Sequence, residues 1–246
     1  MDFENQTAVV TGAGSGMGRL TSERLAEQGA NVVVVDVDAG AAEAVVAGIR
    51  ARGGAATAAV TDVRDYNQVQ AAVNLAIETY GGVDLLVNCA GGASARVWGR
   101  SEGFKDLDIE IIDWGVDVNF RAPIYFARAL IGHMIERGRG VIINMGSVEG
   151  VTGSCAAEYG ASKAGLMGLT RSLALIGAPH GVRACCVSPG PVLTRPEMAN
   201  MKTRLGRAAE PAEIVDLILY LCSDKAAFIT GQNYTIDGGR SIGAMA

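Results

Sequence analysis

Histidine is almost absent from this chain. Only His133 and His180 occur in 246 residues, and neither has an acid or a cysteine at metal-ligand spacing. A zinc enzyme built on clustered nitrogen and sulfur ligands is therefore disfavoured, and both histidines read as helix-surface residues. Cysteine is sparse and odd in number. Cys89, Cys155, Cys185, Cys186 and Cys222 show no C-x-x-C spacing, so free thiols in a reducing, cytoplasmic setting are expected. Cys185 and Cys186 are adjacent in a predicted strand and face opposite sides, which argues against a bond between them. Charged residues make up only 19% of the chain, and the net charge of −5 comes from interspersed acids and bases. That leaves no basic stripe for nucleic acid. No apolar run is long enough to cross a bilayer, and no charged leader precedes the first strand pattern.

What the chain does have is apolar residues and glycine: 49% hydrophobic, with 33 glycines. That composition suits a parallel sheet buried on both faces, whose strands read as apolar runs and whose tight loops need glycine. Strands are expected at 7–11, 31–36, 55–61, 83–88, 141–145, 182–188 and 233–236. Helical patterns lie between them, including 39–52, 66–80, a long one near 108–137, one through Tyr159 to about 178, and 211–222. Alternation of this kind predicts right-handed βαβ units: a single α/β domain over 1–246, a doubly wound Rossmann-type parallel sheet of about seven strands with helices on both faces. Ligands of such sheets bind at the carboxyl ends of the strands, where the winding reverses.

Three motifs fall at those ends. Thr7-Ala8-Val9-Val10-Thr11 runs into Gly12-Ala13-Gly14-Ser15-Gly16-Met17-Gly18 and then an amphipathic stretch. Strand, glycine loop and helix N-terminus together let the backbone approach a phosphate and present amide donors to it. The spacing is not G-x-G-x-x-G; it is Thr-Gly-x-x-x-Gly-x-Gly. The second strand ends in Asp36, about 20 residues on, where a carboxylate can accept hydrogen bonds from a ribose. Tyr159 and Lys163 stand four residues apart, so on a helix they share a face one turn apart. A free phenol titrates near ~10, and an adjacent ammonium favours phenolate. Lowering it by ~3 units takes roughly 4 kcal/mol, more than one surface ion pair supplies.

In this order the motifs resemble the classical branch of the short-chain dehydrogenases/reductases, over nearly the whole length. The likeness extends to Asp62-Val63, Asn88-Cys89-Ala90-Gly91, Asn119, Ser147, Pro189-Gly190 with Thr194, and Asp237-Gly238-Gly239. Cys89 replaces a second asparagine usual in the family. Twelve residues separate Ser147 from Tyr159, one fewer than is common, which leaves Ser154 as a competitor for the serine's role.

The resemblance implies a nicotinamide cofactor lying across the strand ends. Gly12, Ser15, Gly16, Met17 and Gly18 would pass the pyrophosphate and Asp36 would hold the adenosine ribose. Asp62 and Val63 would meet the adenine, with a helix N-cap as the plainer role for Asp62. Asn88, Ala90 and Gly91 would line the path to the nicotinamide, and Pro189, Gly190, Val192 and Thr194 would hold its carboxamide end. Tyr159 would be the acid/base and Lys163 would lower its pKa and bind the nicotinamide ribose. Ser147 would orient the substrate oxygen. Asn119 would kink its helix and hold a water in a proton relay. NAD is expected over NADP, because Asp36 repels a 2′-phosphate and neither Ser15 nor Val37 supplies a cation. Arg19 reads as a solvated helix charge.

The implied activity interconverts a secondary alcohol and a ketone. An NADPH-dependent 3-oxoacyl reductase and a non-catalytic NAD-binding sensor or structural protein are the alternatives. For the substrate, Glu149 is a candidate contact, Arg96, Trp98 and Arg100 lie in the 92–106 stretch, and the lid over 194–207 is short. The family likeness also implies a homotetramer, with the tail from Arg240 to Ala246 reaching a neighbour.

Overall fold

The computed structural model describes residues 2–242. Seven strands form one parallel sheet: β1 (Thr7–Thr11), β2 (Asn31–Asp36), β3 (Ala55–Val60), β4 (Leu85–Asn88), β5 (Gly140–Met145), β6 (Val182–Pro189) and β7 (Asn233–Ile236). Their order is β3-β2-β1-β4-β5-β6-β7. The winding reverses between β1 and β4, as the doubly wound reading requires. The helices are α1 (Gly16–Glu27), α2 (Ala39–Ala51), α3 (Tyr66–Tyr80), α4 (Ser94–Val97), α5 (Ile109–Val116), α6 (Ala122–Glu136), α7 (Glu149–Thr152), α8 (Ala157–Gly177) and α9 (Pro211–Cys222).

The two-residue period of a strand sorts the core into two layers. Ala8, Val10, Val32, Val34 and Ile143 face one side, where they meet Leu25 of α1, Val45 of α2 and Ile214 of α9. Val9, Val33, Val35, Leu86 and Ile142 face the other, against Val69 of α3, Phe126 of α6 and Leu173 of α8. Both layers are closed to water, so the strands carry β-branched residues on consecutive positions rather than in alternation. Cys185 and Cys186 point to opposite sides as expected; both are buried, and all five cysteines are free.

The helix ends follow ordinary capping chemistry. Asp38 and Asp65 cap α2 and α3 by accepting the backbone N–H groups of Ala41 and Asn67, at 3.0 and 2.8 Å. Asp65, not Asp62, is thus the N-cap of α3. Gly81 ends α3 in the left-handed region, at φ 81°. Pro211 opens α9 behind a capping box in which the Glu213 carboxylate accepts the Glu210 N–H at 2.8 Å.

The long helix expected over 108–137 is broken. Between α5 and α6 lies a π-helical segment, Asp117–Arg121. Its cause is Asn119. The Asn119 side-chain amide donates to the Gly115 carbonyl at 2.8 Å, the acceptor that an unbroken α-helix would give to the Asn119 backbone N–H. His133 is also more than a surface residue. Its Nε2 accepts the Val83 N–H at 3.1 Å, and burial lowers its pKa.

Candidate active site

One cavity of about 750 Å³ opens at the carboxyl ends of the strands, across the point where the winding reverses. Its walls include Gly12, Ser15, Gly16, Met17, Gly18, Asp36, Asp62, Val63, Ala90, Gly91, Ser147, Tyr159, Lys163, Pro189, Gly190, Val192 and Thr194. A single crevice therefore collects most of the residues singled out from the sequence.

At the glycine end the backbone is crowded. Gly12 sits at φ 61°, and a Cβ there would come within 2.7 Å of the Ala90 backbone. A Cβ on Gly18 would collide with the Gly12 carbonyl. Larger residues would force the loop off β4 and off the start of α1. Unlike α2 and α3, α1 has no side-chain cap: Ser15 makes no such bond, and the first turn carries no acid. The amide donors of that turn and the positive end of the helix dipole are left facing the cavity. This fits a pyrophosphate. Asp36 serves the loop as well as the cavity, its two oxygens accepting the Gly14 N–H at 2.8 Å and the Asp38 N–H at 3.0 Å. A carboxylate has about four acceptor sites, so two remain for ribose hydroxyls. Arg19 pairs with Glu23 at 3.1 Å, as a solvated helix charge should.

The other end holds Tyr159 and Lys163 on α8. The Lys163 ammonium donates to the Met145 carbonyl at 2.8 Å and lies 5.6 Å from the centroid of the Tyr159 ring. Burial depresses Lys163 to about 8, opposed by the nearby Cys186 and Cys89. Cys89 itself is pushed up to about 12 by burial and stays a neutral thiol. Tyr159 departs from expectation: burial raises its pKa, against the lowering hydrogen bond of Ser147. Burial outweighs the lowering effects of Ser147, Arg96 and Arg195, and the Glu149 charge adds to the rise.

Three expected residues lie elsewhere. Asn88 does not line the cavity. Its side chain turns inward, donating to Asn144 at 2.9 Å, and Asn144 in turn donates to Thr170 at 3.0 Å. Asn119 also stands behind the wall. It accepts the Gly92 N–H and donates to the Gly92 carbonyl, both at 2.9 Å, and so fixes the corner after β4. A Cβ on Gly91 would lie 2.6 Å from Asn119 Oδ1 and 3.1 Å from Lys163 Nζ, so both groups converge on that corner. Glu149 is the third: it accepts a hydrogen bond from Ser154 and does not line the cavity, although its charge acts on Tyr159. Ser154, tied to Glu149, lies outside the cavity that Ser147 lines.

Residues given no role in the sequence reading also line it, among them Arg64, Val97, Trp114, Met145 and Met198, together with Val37, Cys89, Arg96 and Arg195. Arg64 grips Asp62 with two of its guanidinium nitrogens, Nε and Nη2, at 2.9 and 2.6 Å. Its place directly after Asp62-Val63 was the one available signal.

The family model for short chain dehydrogenases matches residues 6–205. The chain belongs to the short-chain dehydrogenase family. Cyclohexanol dehydrogenase of Acinetobacter sp. is 36% identical over 243 residues, covering 96% of this chain and 95% of that protein. Cis-4-hydroxycyclohexanecarboxylate dehydrogenase of Sinomonas cyclohexanicum is 35% identical over 248 residues, covering 96% and 97%. The solved structure of a 7α-hydroxysteroid dehydrogenase with NADH and 7-oxo glycochenodeoxycholic acid superposes with a TM-score of 0.88 at 30% identity, covering 97% of this chain and 95% of that one. The family is one of oxidoreductases, and the cavity of this short-chain dehydrogenase suits a nicotinamide cofactor beside a small-molecule substrate. No helix among the described residues is long and apolar enough to cross a membrane.

Proposed function

We propose that this short-chain dehydrogenase is an NAD-dependent enzyme that interconverts a secondary alcohol and a ketone, with Tyr159 as the acid/base. The observation that carries the reading is the meeting of Ser147, Tyr159 and Lys163 at one end of a cavity whose other end is the uncapped α1 terminus and Asp36. The named relatives act on ring alcohols, which makes alicyclic secondary alcohols the first class to try.

When bound, the nicotinamide supplies the hydride acceptor or donor. Gly12, Ser15, Gly16, Met17 and Gly18 hold the pyrophosphate, Asp36 the adenosine ribose, and Asp62 and Val63 the adenine. Ala90, Gly91, Pro189, Gly190, Val192 and Thr194 hold the nicotinamide half, and Lys163 reaches its ribose. Asn88 supports this wall from behind rather than lining it. In oxidation the substrate gives up a hydride from carbon and a proton from oxygen, and tyrosinate takes the proton. In reduction the Tyr159 phenol returns it to the developing alkoxide. Ser147 donates to the substrate oxygen and orients it. Lys163 supports the phenolate and, through a water held near Asn119, passes protons onward.

The test is direct. The protein is mixed with NAD or NADP and a panel of secondary alcohols led by cyclohexanol, and absorbance is followed near about 340 nm. Growth of the signal with NAD is expected. No growth with either cofactor, although the cofactor binds, overturns the reading.

We further propose that the active form is a homotetramer located in the cytoplasm. Small residues on the outer side of α8, Ala161, Ala164 and Gly168, and exposed Leu175 and Ile176 offer a face for a second copy. Ala122 and Ala127 of α6, by contrast, are buried within the chain. Two distinct two-fold interfaces close a tetramer. The last four residues of the expected tail contact, 243–246, lie outside the described residues. Light scattering at micromolar concentration is expected to give about four times the 25.4 kDa of one chain; a monomer mass defeats the proposal.

A further inference from the structure

Three arginines line the cavity: Arg64, Arg96 and Arg195. Arg64 is neutralised by Asp62. Arg100, close in sequence to Arg96, is turned away and bound to Glu102 and Asp108 at 2.9 and 2.7 Å. Arg96 and Arg195 differ from both: among the described residues neither guanidinium makes a hydrogen bond or an ion pair. They nevertheless converge. Each acts on the charge of Tyr159, and the charge on Arg96 is disfavoured first by partial burial and then by repulsion from Arg195. Glu197, on the exposed short turn after Arg195, offsets part of this without bonding to Arg96.

Both stand at the cavity wall. Arg96 folds back on the corner that Asn119 pins: a Cβ on Gly92 would stand 2.7 Å from Arg96 Nη2. Arg195 follows Thr194 directly at the cavity wall. The same cavity also has apolar lining, from Val97, Trp114 and Met198. Two forked cations without a bonded counter-charge, in a cavity that also holds apolar walls and the proton-transfer group, match one ligand design: an apolar body that carries a planar anion. A carboxylate fits the guanidinium fork with two parallel hydrogen bonds.

We propose that Arg96 and Arg195 form an anion subsite that takes a carboxylate of the substrate, so that the preferred substrates are carboxylate-bearing alicyclic secondary alcohols and the matching ketones. The alcohol half of this statement rests on the oxidoreductase reading above; the anion half does not, and the experiment separates them.

Binding is measured first, by calorimetry on the NAD-loaded protein, with cyclohexanecarboxylate and with cyclohexanecarboxamide, neither of which can react as an alcohol. The acid is expected to bind about tenfold to a hundredfold more tightly, the size of one or two charge-assisted hydrogen bonds. Added salt should narrow the gap, and Arg96→Gln with Arg195→Gln should close it while Arg96→Lys keeps part of it. Turnover is measured second. Wild-type kcat/KM for 4-hydroxycyclohexanecarboxylate should exceed that for its methyl ester by a similar factor, carried by KM, and the glutamine variants should lower the acid more than the ester. Equal affinity for acid and amide, or a gap that survives the double variant, overturns the subsite. If the double variant fails to fold, the wild-type comparison decides alone. Arginine-dependent acid binding without oxidation of any alcohol leaves the subsite standing and removes the reaction; oxidation with no preference for the acid does the reverse.

Discussion

Tyr159→Phe is expected to lower kcat by about 10²–10⁴-fold, the range that a positioned acid/base contributes. NAD affinity should change little. Phenylalanine keeps the ring over which Lys163 lies, 5.6 Å from its centroid, and removes only the phenolic oxygen. Because the lost group acts on the proton in flight, kcat and kcat/KM should fall together. Lys163→Ala should behave differently: the ammonium that donates to the Met145 carbonyl and is proposed to meet the nicotinamide ribose disappears, so cofactor affinity and turnover both suffer. The pH dependence has a definite sign. Burial raises the free-chain phenol above its ordinary value, so phenolate grows only toward alkaline pH. Alcohol oxidation measured as kcat/KM should therefore rise with pH. Lys163 is a cation below about 8 and loses that charge above it, which limits its help to the phenolate at the alkaline end. Retention of more than a few per cent of turnover by Tyr159→Phe at saturating substrate would remove Tyr159 from its role.

How far the sequence reached follows from what kind of information each feature carries. The sheet was legible because Asn31–Asp36 and its counterparts are short, β-branched or apolar runs separated by helical patterns, and that alternation fits strands buried on both faces. The cavity was legible because Gly12 to Gly18, Asp36, Asp62 and Pro189-Gly190 all follow strand ends, and strand ends share one edge of the sheet. Side-chain direction was less accessible. Asn88 belongs to the same turn as Ala90 and Gly91, yet its amide points inward to Asn144, and the composition of the turn does not encode that choice. The apolar period of 108–137 is compatible with one helix, and only the competition of the Asn119 amide for the Gly115 carbonyl breaks it. The direction of the Tyr159 shift depends on how much water its neighbours exclude, a property of packing rather than of spacing. Arg96 was legible only as one of several candidates in the 92–106 stretch and Arg195 only as part of the short lid, because four-residue helices and loops have no periodicity that says which side faces the cavity.

NAD should be used in preference to NADP, and the preference should reverse on replacing Asp36 with alanine and Val37 with arginine. Asp36 ends β2 at the cavity wall, with both oxygens fixed by the Gly14 and Asp38 amides, so it cannot swing away from an incoming phosphate. A 2′-phosphate brings about two negative charges and would meet a held carboxylate. The one cation in the neighbouring stretch, Arg64, is already committed. Its bond to Asp62 lowers the Asp62 pKa and raises its own, and turning to a phosphate would leave Asp62 without its partner. Val37 is 70% exposed, so an arginine there meets no steric obstacle and can reach toward the ribose. Removing a repulsion and adding a bidentate cation should together shift the NAD/NADP ratio of kcat/KM by about 10²–10³-fold. Asp36→Ala alone should cost NAD its ribose contacts and free the Gly14 N–H, lowering activity with NAD more than it raises activity with NADP. The measurement is kcat/KM for both cofactors with one alcohol at fixed ionic strength. A wild-type ratio near one, or a double variant that still favours NAD, would mean that Asp36 does not govern the choice.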